Sequence, residues 1–182
     1  MSHKDYNIAI VELLLQKPNH IRGIAKLLNT NQTTVSRKVK ELYDQNIADY
    51  NFEGKNKVLF LKKTFEAKQY ICIVELHKTM EIVEKYTRLR SVFERIKQNP
   101  EIKLAILFGS YAKGLAHKDS DIDLYIETTN RRLKEDIQLI DTKLSIKIGE
   151  YDSNNLLIKE IEKNHVIIKG VEEFYEKNKF FA

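Results

Sequence analysis

The stretch Leu107-Phe-Gly-Ser-Tyr-Ala-Lys-Gly-Leu-Ala-His-Lys-Asp-Ser-Asp-Ile-Asp-Leu124 decides how this chain is read. It follows the run Lys103-Leu-Ala-Ile-Leu-Phe108, which is apolar enough for a buried strand, and Gly109 ends that run where a backbone must bend or approach a ligand closely. Ser110 offers a hydroxyl, and the amides that start a short helix at Tyr111 add donors suited to phosphate oxygens. Gly114 then breaks the helix. In the next strand Asp121 and Asp123 alternate with Ile122 and Leu124, so a period of two puts both carboxylates on one face and both aliphatics in the core. Two anions held on one face repel each other. The arrangement suits Mg²⁺ or Mn²⁺, which accept carboxylate, water and substrate phosphate together. Lys113, one helical turn past Ser110, is placed to reach a phosphate.

Residues 107 to 124 resemble the signature of the minimal nucleotidyltransferases, a branch of the DNA polymerase β superfamily. The resemblance runs from Lys103 to the C-terminus. It implies a small mixed sheet flanked by helices, a divalent metal held by the catalytic pair Asp121 and Asp123, and a nucleoside triphosphate, ATP by expectation, held at Gly109, Ser110 and Lys113. It also implies a third acid on a later strand that completes the metal site and helps deprotonate the attacking hydroxyl. The strand in question is Leu144-Ser-Ile-Lys-Ile-Gly-Glu-Tyr151. Alternation sends Leu144, Ile146 and Ile148 to the core and leaves Ser145, Lys147 and Gly149 toward the site, none of them acidic. Glu150 reaches the site only if Gly149 marks a bulge that flips the register, and Asp152 lies just past the strand end.

Charge divides the chain. Residues 1–63 hold eleven of the 31 Lys and Arg but only six of the 26 Asp and Glu, so the whole net charge of +5 lies in the first third. A basic lobe joined to a neutral one suggests that the lobe meets a polyanion. Apolar spacing gives the lobe three helices: one over Ile8 to Leu15 ended by Pro18, one over Ile21 to Leu28, and one over Gln32 to Tyr43 with Val35, Val39 and Leu42 inward. Two β-prone runs, Ile47 to Phe52 and Lys57 to Leu61, follow across the turn Glu53-Gly-Lys-Asn56. This order resembles a winged helix-turn-helix of the bacterial and archaeal regulators. On that resemblance the chain reads double-stranded DNA through Gln32, Thr33, Thr34, Ser36, Arg37, Lys38 and Lys40 of the third helix and Lys55 and Lys57 of the hairpin.

The expected fold is therefore α+β: a winged helix-turn-helix over 1–63, a helical linker over 64–99, and a polymerase-β-like domain over 100–182. The linker, roughly Phe65 to Gln98, has no Gly or Pro until Pro100, and Thr87-Arg88 is the place where it would divide. Its apolar stripe must be covered, and a homodimer suits a reader of two DNA half-sites. A single cysteine, Cys72, rules out an internal disulfide and reads as a core residue. No run approaches the ~18 apolar residues of a membrane helix, and no charged-then-apolar leader is present, so a soluble, cytoplasmic protein with no membrane contact is expected.

Two functions compete. The first is a DNA-bound nucleotidyltransferase. Minimal enzymes of this kind often lack an acceptor-binding domain, and the resemblance implies a helical HEPT-type partner, in toxin–antitoxin pairs where the transferase adds AMP to the toxin and the winged helix autoregulates the operon. The second is a transcriptional regulator whose degenerate transferase lobe senses nucleotide or serves dimerisation. The missing third acid favours the second.

Overall fold

Helix α1 (Tyr6–Gln16) begins where Asp5 caps it, the carboxylate accepting from the amides of Asn7 at 2.9 Å and Ile8 at 3.4 Å. The structure is a computed structural model describing residues 5–180. It divides into two units, and the boundary, between Val74 and Glu75, lies inside a helix.

In the first unit α1 is followed by α2 (Ile21–Leu27) and α3 (Gln32–Asp44), then by an antiparallel hairpin of β1 (Ala48–Glu53) and β2 (Asn56–Leu61). Asn31 caps α3, its side chain accepting from the Thr34 amide at 2.7 Å. Val35, Val39 and Leu42 recur on one side of α3 and are buried with Ile10, Val11 and Leu14 of α1, Ile24 and Ala25 of α2, and Leu59 of β2. That spacing is what makes α3 amphipathic, leaving its polar side to solvent. The hairpin turns on Gly54 and Lys55. Gly54 takes φ +61, the first position of a two-residue turn where glycine is favoured. Before α2, Asn19 and Leu59 exchange backbone hydrogen bonds of 3.0 and 2.7 Å, which fasten the helices to β2.

Helix α4 (Phe65–Lys85) crosses the boundary, and α5 (Leu89–Gln98) begins after a break at Tyr86, Thr87 and Arg88. The break is held from outside the helices. Arg88 reaches Asp141 through contacts of 2.7, 2.8 and 3.2 Å, and the Tyr86 hydroxyl accepts from the Ala116 amide at 3.1 Å.

The second unit is built on β3 (Ala105–Phe108), α6 (Gly109–Ala112), β4 (Ile122–Glu127), α7 (Arg131–Gln138), β5 (Leu144–Gly149), α8 (Leu156–Lys163), β6 (Val166–Lys169) and α9 (Val171–Lys177). The sheet order is β5-β4-β3-β6. β3 runs antiparallel to β4 and β6, while β4 and β5 are parallel and joined through α7, so the sheet is mixed. Alternation sorts its faces. Ala105, Leu107, Ile122, Leu124, Ile126, Leu144, Ile146, Val166 and Ile168 join Leu89, Val92, Phe93 and Ile96 of α5 and Leu133 and Ile137 of α7 in one core. The opposite parity leaves Asp123, Ser145 and Lys147 on the other face. An α+β unit with a small mixed sheet flanked by helices is the architecture expected of a polymerase-β-like domain.

A buried polar cluster anchors α4 to this unit. Glu75, fully buried, accepts from the Tyr175 hydroxyl at 2.7 Å and from Lys78 Nζ at 2.9 and 3.0 Å. The Thr79 hydroxyl lies 3.1 Å from the Ile167 carbonyl of β6. His165 stacks on Phe174 with ring centroids 4.6 Å apart, and its Nδ1 lies 2.9 Å from the Ile161 carbonyl, so this histidine serves packing. Among the described residues no helix is long and apolar enough to cross a membrane.

Candidate active site

Strand β3 delivers the chain to Gly109, and β4 places Asp123 beside it, since Phe108 pairs with Asp123 in the antiparallel register. Gly109 adopts φ +72, a conformation only glycine takes freely. A Cβ built there would overlap Asp123 Oδ2 and come within 3.1 Å of its carboxyl carbon. The glycine therefore brings bare backbone against the carboxylate. Ser110, half-buried, follows in the first turn of α6, whose leading amides have no partner within the helix.

The two expected carboxylates differ in setting. Asp121 is exposed just before β4; Asp123 is half-buried on it. Burial pushes the Asp123 carboxyl above the usual carboxylate range, the Asp121 charge adds to that rise, and the Ser145 side chain and the Lys147 ammonium oppose it. Both opposing groups come from β5. The parallel register pairs Asp123 with Ser145 and Tyr125 with Lys147, and it continues without a break to Glu127 and Gly149.

The β4–β5 register runs to Gly149 without a shift, and Glu150 lies exposed past the end of β5. Asp152 is engaged in a turn, where its Oδ1 accepts from the Asn154 amide at 2.9 Å and side-chain nitrogen at 3.1 Å. Glu127 shares the face of the Asp pair, a parity readable in the sequence, but four strand residues separate it from Asp123 by roughly 13 Å. It is occupied by Lys177 Nζ at 3.0 Å and the Tyr151 amide at 3.3 Å. Among the described residues no group of three acids, histidines or cysteines converges as a metal cage. The residues present fit a divalent cation only as a two-carboxylate seat, Asp121 and Asp123, completed by phosphate oxygens and water.

The segment between the turn and the Asp pair is fastened from several sides. Lys85 of α4 donates to the Gly114 carbonyl at 2.7 Å, Tyr86 holds the Ala116 amide, and Lys143 donates to the Lys118 carbonyl. The His117 amide donates to the Ser120 hydroxyl at 2.9 Å. Lys113 points to Glu160 of α8 at 3.4 Å, an exposed pair of the kind that contributes little.

In the first unit, Gln32, Thr33, Ser36, Arg37 and Lys40 are exposed on α3, and Thr34 and Lys38 are partly covered. Two of these cations are already engaged: Arg37 and Lys38 both pair with Glu41, at 2.9 and 2.6 Å, a contact that the i,i+4 and i,i+3 spacings signal in the sequence. Lys55 is exposed in the hairpin turn. Lys57 lies 4.1 Å above the Tyr50 ring, one of an aromatic group that charge-based reading passes over.

No curated protein matches the chain. Residues 90–179, from within α5 to just past α9, match the family model described as Polymerase beta, Nucleotidyltransferase, which supports a nucleotidyltransferase domain in the second unit.

Proposed function

We propose that the second unit binds a nucleoside triphosphate, ATP in the first instance, at the Gly109-Ser110 turn and transfers its nucleoside monophosphate to an acceptor hydroxyl. The observation that carries this reading is the contact of the Gly109 backbone with the Asp123 carboxylate, because it puts phosphate donors and metal-seeking oxygens at one point. Gly109 and Ser110 orient the phosphates, and Lys113, whose ion pair with Glu160 is exposed, turns to them. The acceptor oxygen bonds to the α-phosphorus as the bond to the bridging oxygen breaks, the hydroxyl proton passes to water, and pyrophosphate leaves with the electron pair. A divalent cation, Mg²⁺ or Mn²⁺, seated on Asp121 and Asp123 supplies neutralisation of the phosphate charge when bound.

The first unit is read as a winged helix-turn-helix that binds double-stranded DNA. The order α1-α2-α3-β1-β2 and the exposed polar side of α3 support it. Exposed Leu76 and Met80 on α4 support a homodimer. A HEPT-type protein as acceptor, autoregulation of a toxin–antitoxin operon and a cytoplasmic location complete this reading.

A second reading, a DNA-binding regulator whose transferase lobe senses nucleotide, is favoured by Ser145 and Lys147 standing where an acid would serve catalysis. One assay separates the two. The protein is incubated with labelled ATP, Mg²⁺ and a cell extract, beside the Asp121→Ala/Asp123→Ala variant. Label transfer that depends on these residues establishes the enzyme; ATP binding without transfer establishes the sensor.

A further inference from the structure

We propose that the groove between α3 and the β1-β2 hairpin is a stacking site for unpaired bases of a single-stranded nucleic acid. Tyr50 and Phe52 share one face of β1, and their rings meet edge to face at 5.6 Å, with Tyr43 of α3 at 6.2 Å from Tyr50. This aromatic group is open to solvent: Phe52 is 66% exposed and Tyr43 50%. An exposed phenylalanine at a hairpin adds little to the fold, yet it offers a π-face that any base can cover.

Cations flank the rings. Lys57 Nζ lies 4.1 Å from the Tyr50 centroid and 5.7 Å from that of Phe52, and Lys40 lines the same groove from α3. Neither lysine enters an ion pair among the described residues, in contrast to Arg37 and Lys38. Among the described residues the acid that lines the groove, Asp49, accepts from the Tyr50 amide at 2.8 Å. The pocket that Lys40, Tyr43, Asp49, Tyr50 and Lys57 line has a volume of about 200 Å³. Rings for bases and unpaired ammonium groups for phosphates are the two components of single-strand binding. A duplex hides its base faces in its own stack, so it uses the cations of this groove and leaves the rings idle. The site rests on the reading of the first unit as a nucleic-acid binder, and it adds single strands to the duplex of that reading.

The test uses the full chain and fluorescence anisotropy with labelled strands of about 12 nucleotides. The probes are a mixed-base DNA strand, the same strand with abasic positions, its RNA counterpart and the matched duplex. The base-bearing strand is expected to bind about tenfold more tightly than the abasic one. Phe52→Ala, at an exposed position that the fold does not need, removes about fivefold or more of that preference. It leaves duplex and abasic binding within about twofold, and Tyr50→Leu repeats the effect. The DNA and RNA arms tell which backbone is preferred. Equal affinity for base-bearing and abasic strands, or unchanged strand binding in Phe52→Ala, overturns the proposal even when duplex binding persists. Loss of all four probes in the wild type overturns the nucleic-acid reading of the unit as well.

Discussion

Ser145 stands directly opposite Asp123 in the parallel pairing of β4 and β5, and its side chain helps draw the Asp123 carboxyl down against the effect of burial. A carboxylate at 145 would therefore face Asp123 across neighbouring strands. Ser145→Asp is expected to tighten Mn²⁺ binding by about tenfold, since a third anionic oxygen ligand completes a hard-cation site. Titration calorimetry with Mn²⁺ alone reads the change, and equal affinity in variant and wild type would refute the placement.

Gly109→Ala tests the turn. The alanine must hold φ +72, which costs about 1–2 kcal/mol in the left-handed region, and its methyl group meets the Asp123 carboxylate. A urea midpoint lowered accordingly and ATP affinity reduced by about tenfold or more are expected. Retention of full affinity would show that phosphate binds elsewhere.

Asp123→Asn separates function from stability. The carboxylate is half-buried and repelled by Asp121, so the neutral amide is expected to leave the urea midpoint at pH 7 equal or higher while label transfer from ATP is lost. A destabilised variant would mean that Asp123 is held by contacts that favour its charge.

His165 gives the fold an acid limit. Its ring is buried beside the Lys78 ammonium, and burial first, then that charge, lower its pKa from 6.5 to about 4 against the pull of Glu75. The unfolded chain takes up the proton below about pH 6.5 and the folded chain only near pH 4. The stability associated with the neutral ring is thus whole above 6.5 and falls as pH drops through that window, by about 3 kcal/mol at its lower end. Urea unfolding from pH 7 to 4 measures the slope, and His165→Leu should flatten it.

Glu41 restrains the cations of α3. Its carboxylate is lowered chiefly by the Lys38 and Asn7 hydrogen bonds, and it also pairs with Arg37. Glu41→Gln frees both cations and is expected to strengthen duplex binding several-fold at low salt and to steepen its salt dependence, whereas Arg37→Ala and Lys40→Ala weaken it. Anisotropy at two salt concentrations decides the matter. An unchanged slope would remove α3 from the duplex contact.

Local signals make part of the fold and of the site legible in the sequence. The approach of Gly109 to Asp123 is readable because eighteen residues of motif carry turn, helix and strand together, and the alternation in β5 puts Ser145 and Lys147 on the site face. Division at Thr87-Arg88 is signalled in the sequence, but the break there, which also takes in Tyr86, is not fixed by it, because what holds it, Asp141 and Ala116, lies far along the chain. The same holds for β6. Val166-Ile167-Ile168 is a short apolar run by itself, and only pairing with β3 makes it a strand. Glu75 is the extreme case: a helical glutamate reads as a solvated charge until Tyr175, a hundred residues later, covers it. The aromatic group of the hairpin was visible as letters, yet its meaning comes from exposure, which alternation alone does not give.

The fastened segment from Gly114 to Ser120 bears on the speed of the encounter with nucleotide. Lys85, Tyr86 and Lys143 fix that backbone in the free protein, so its ordering is complete before any ligand arrives. Arrival of the triphosphate then has no slow rearrangement of this segment to wait for. Its association rate should rise in proportion to concentration without reaching a plateau set by loop closure.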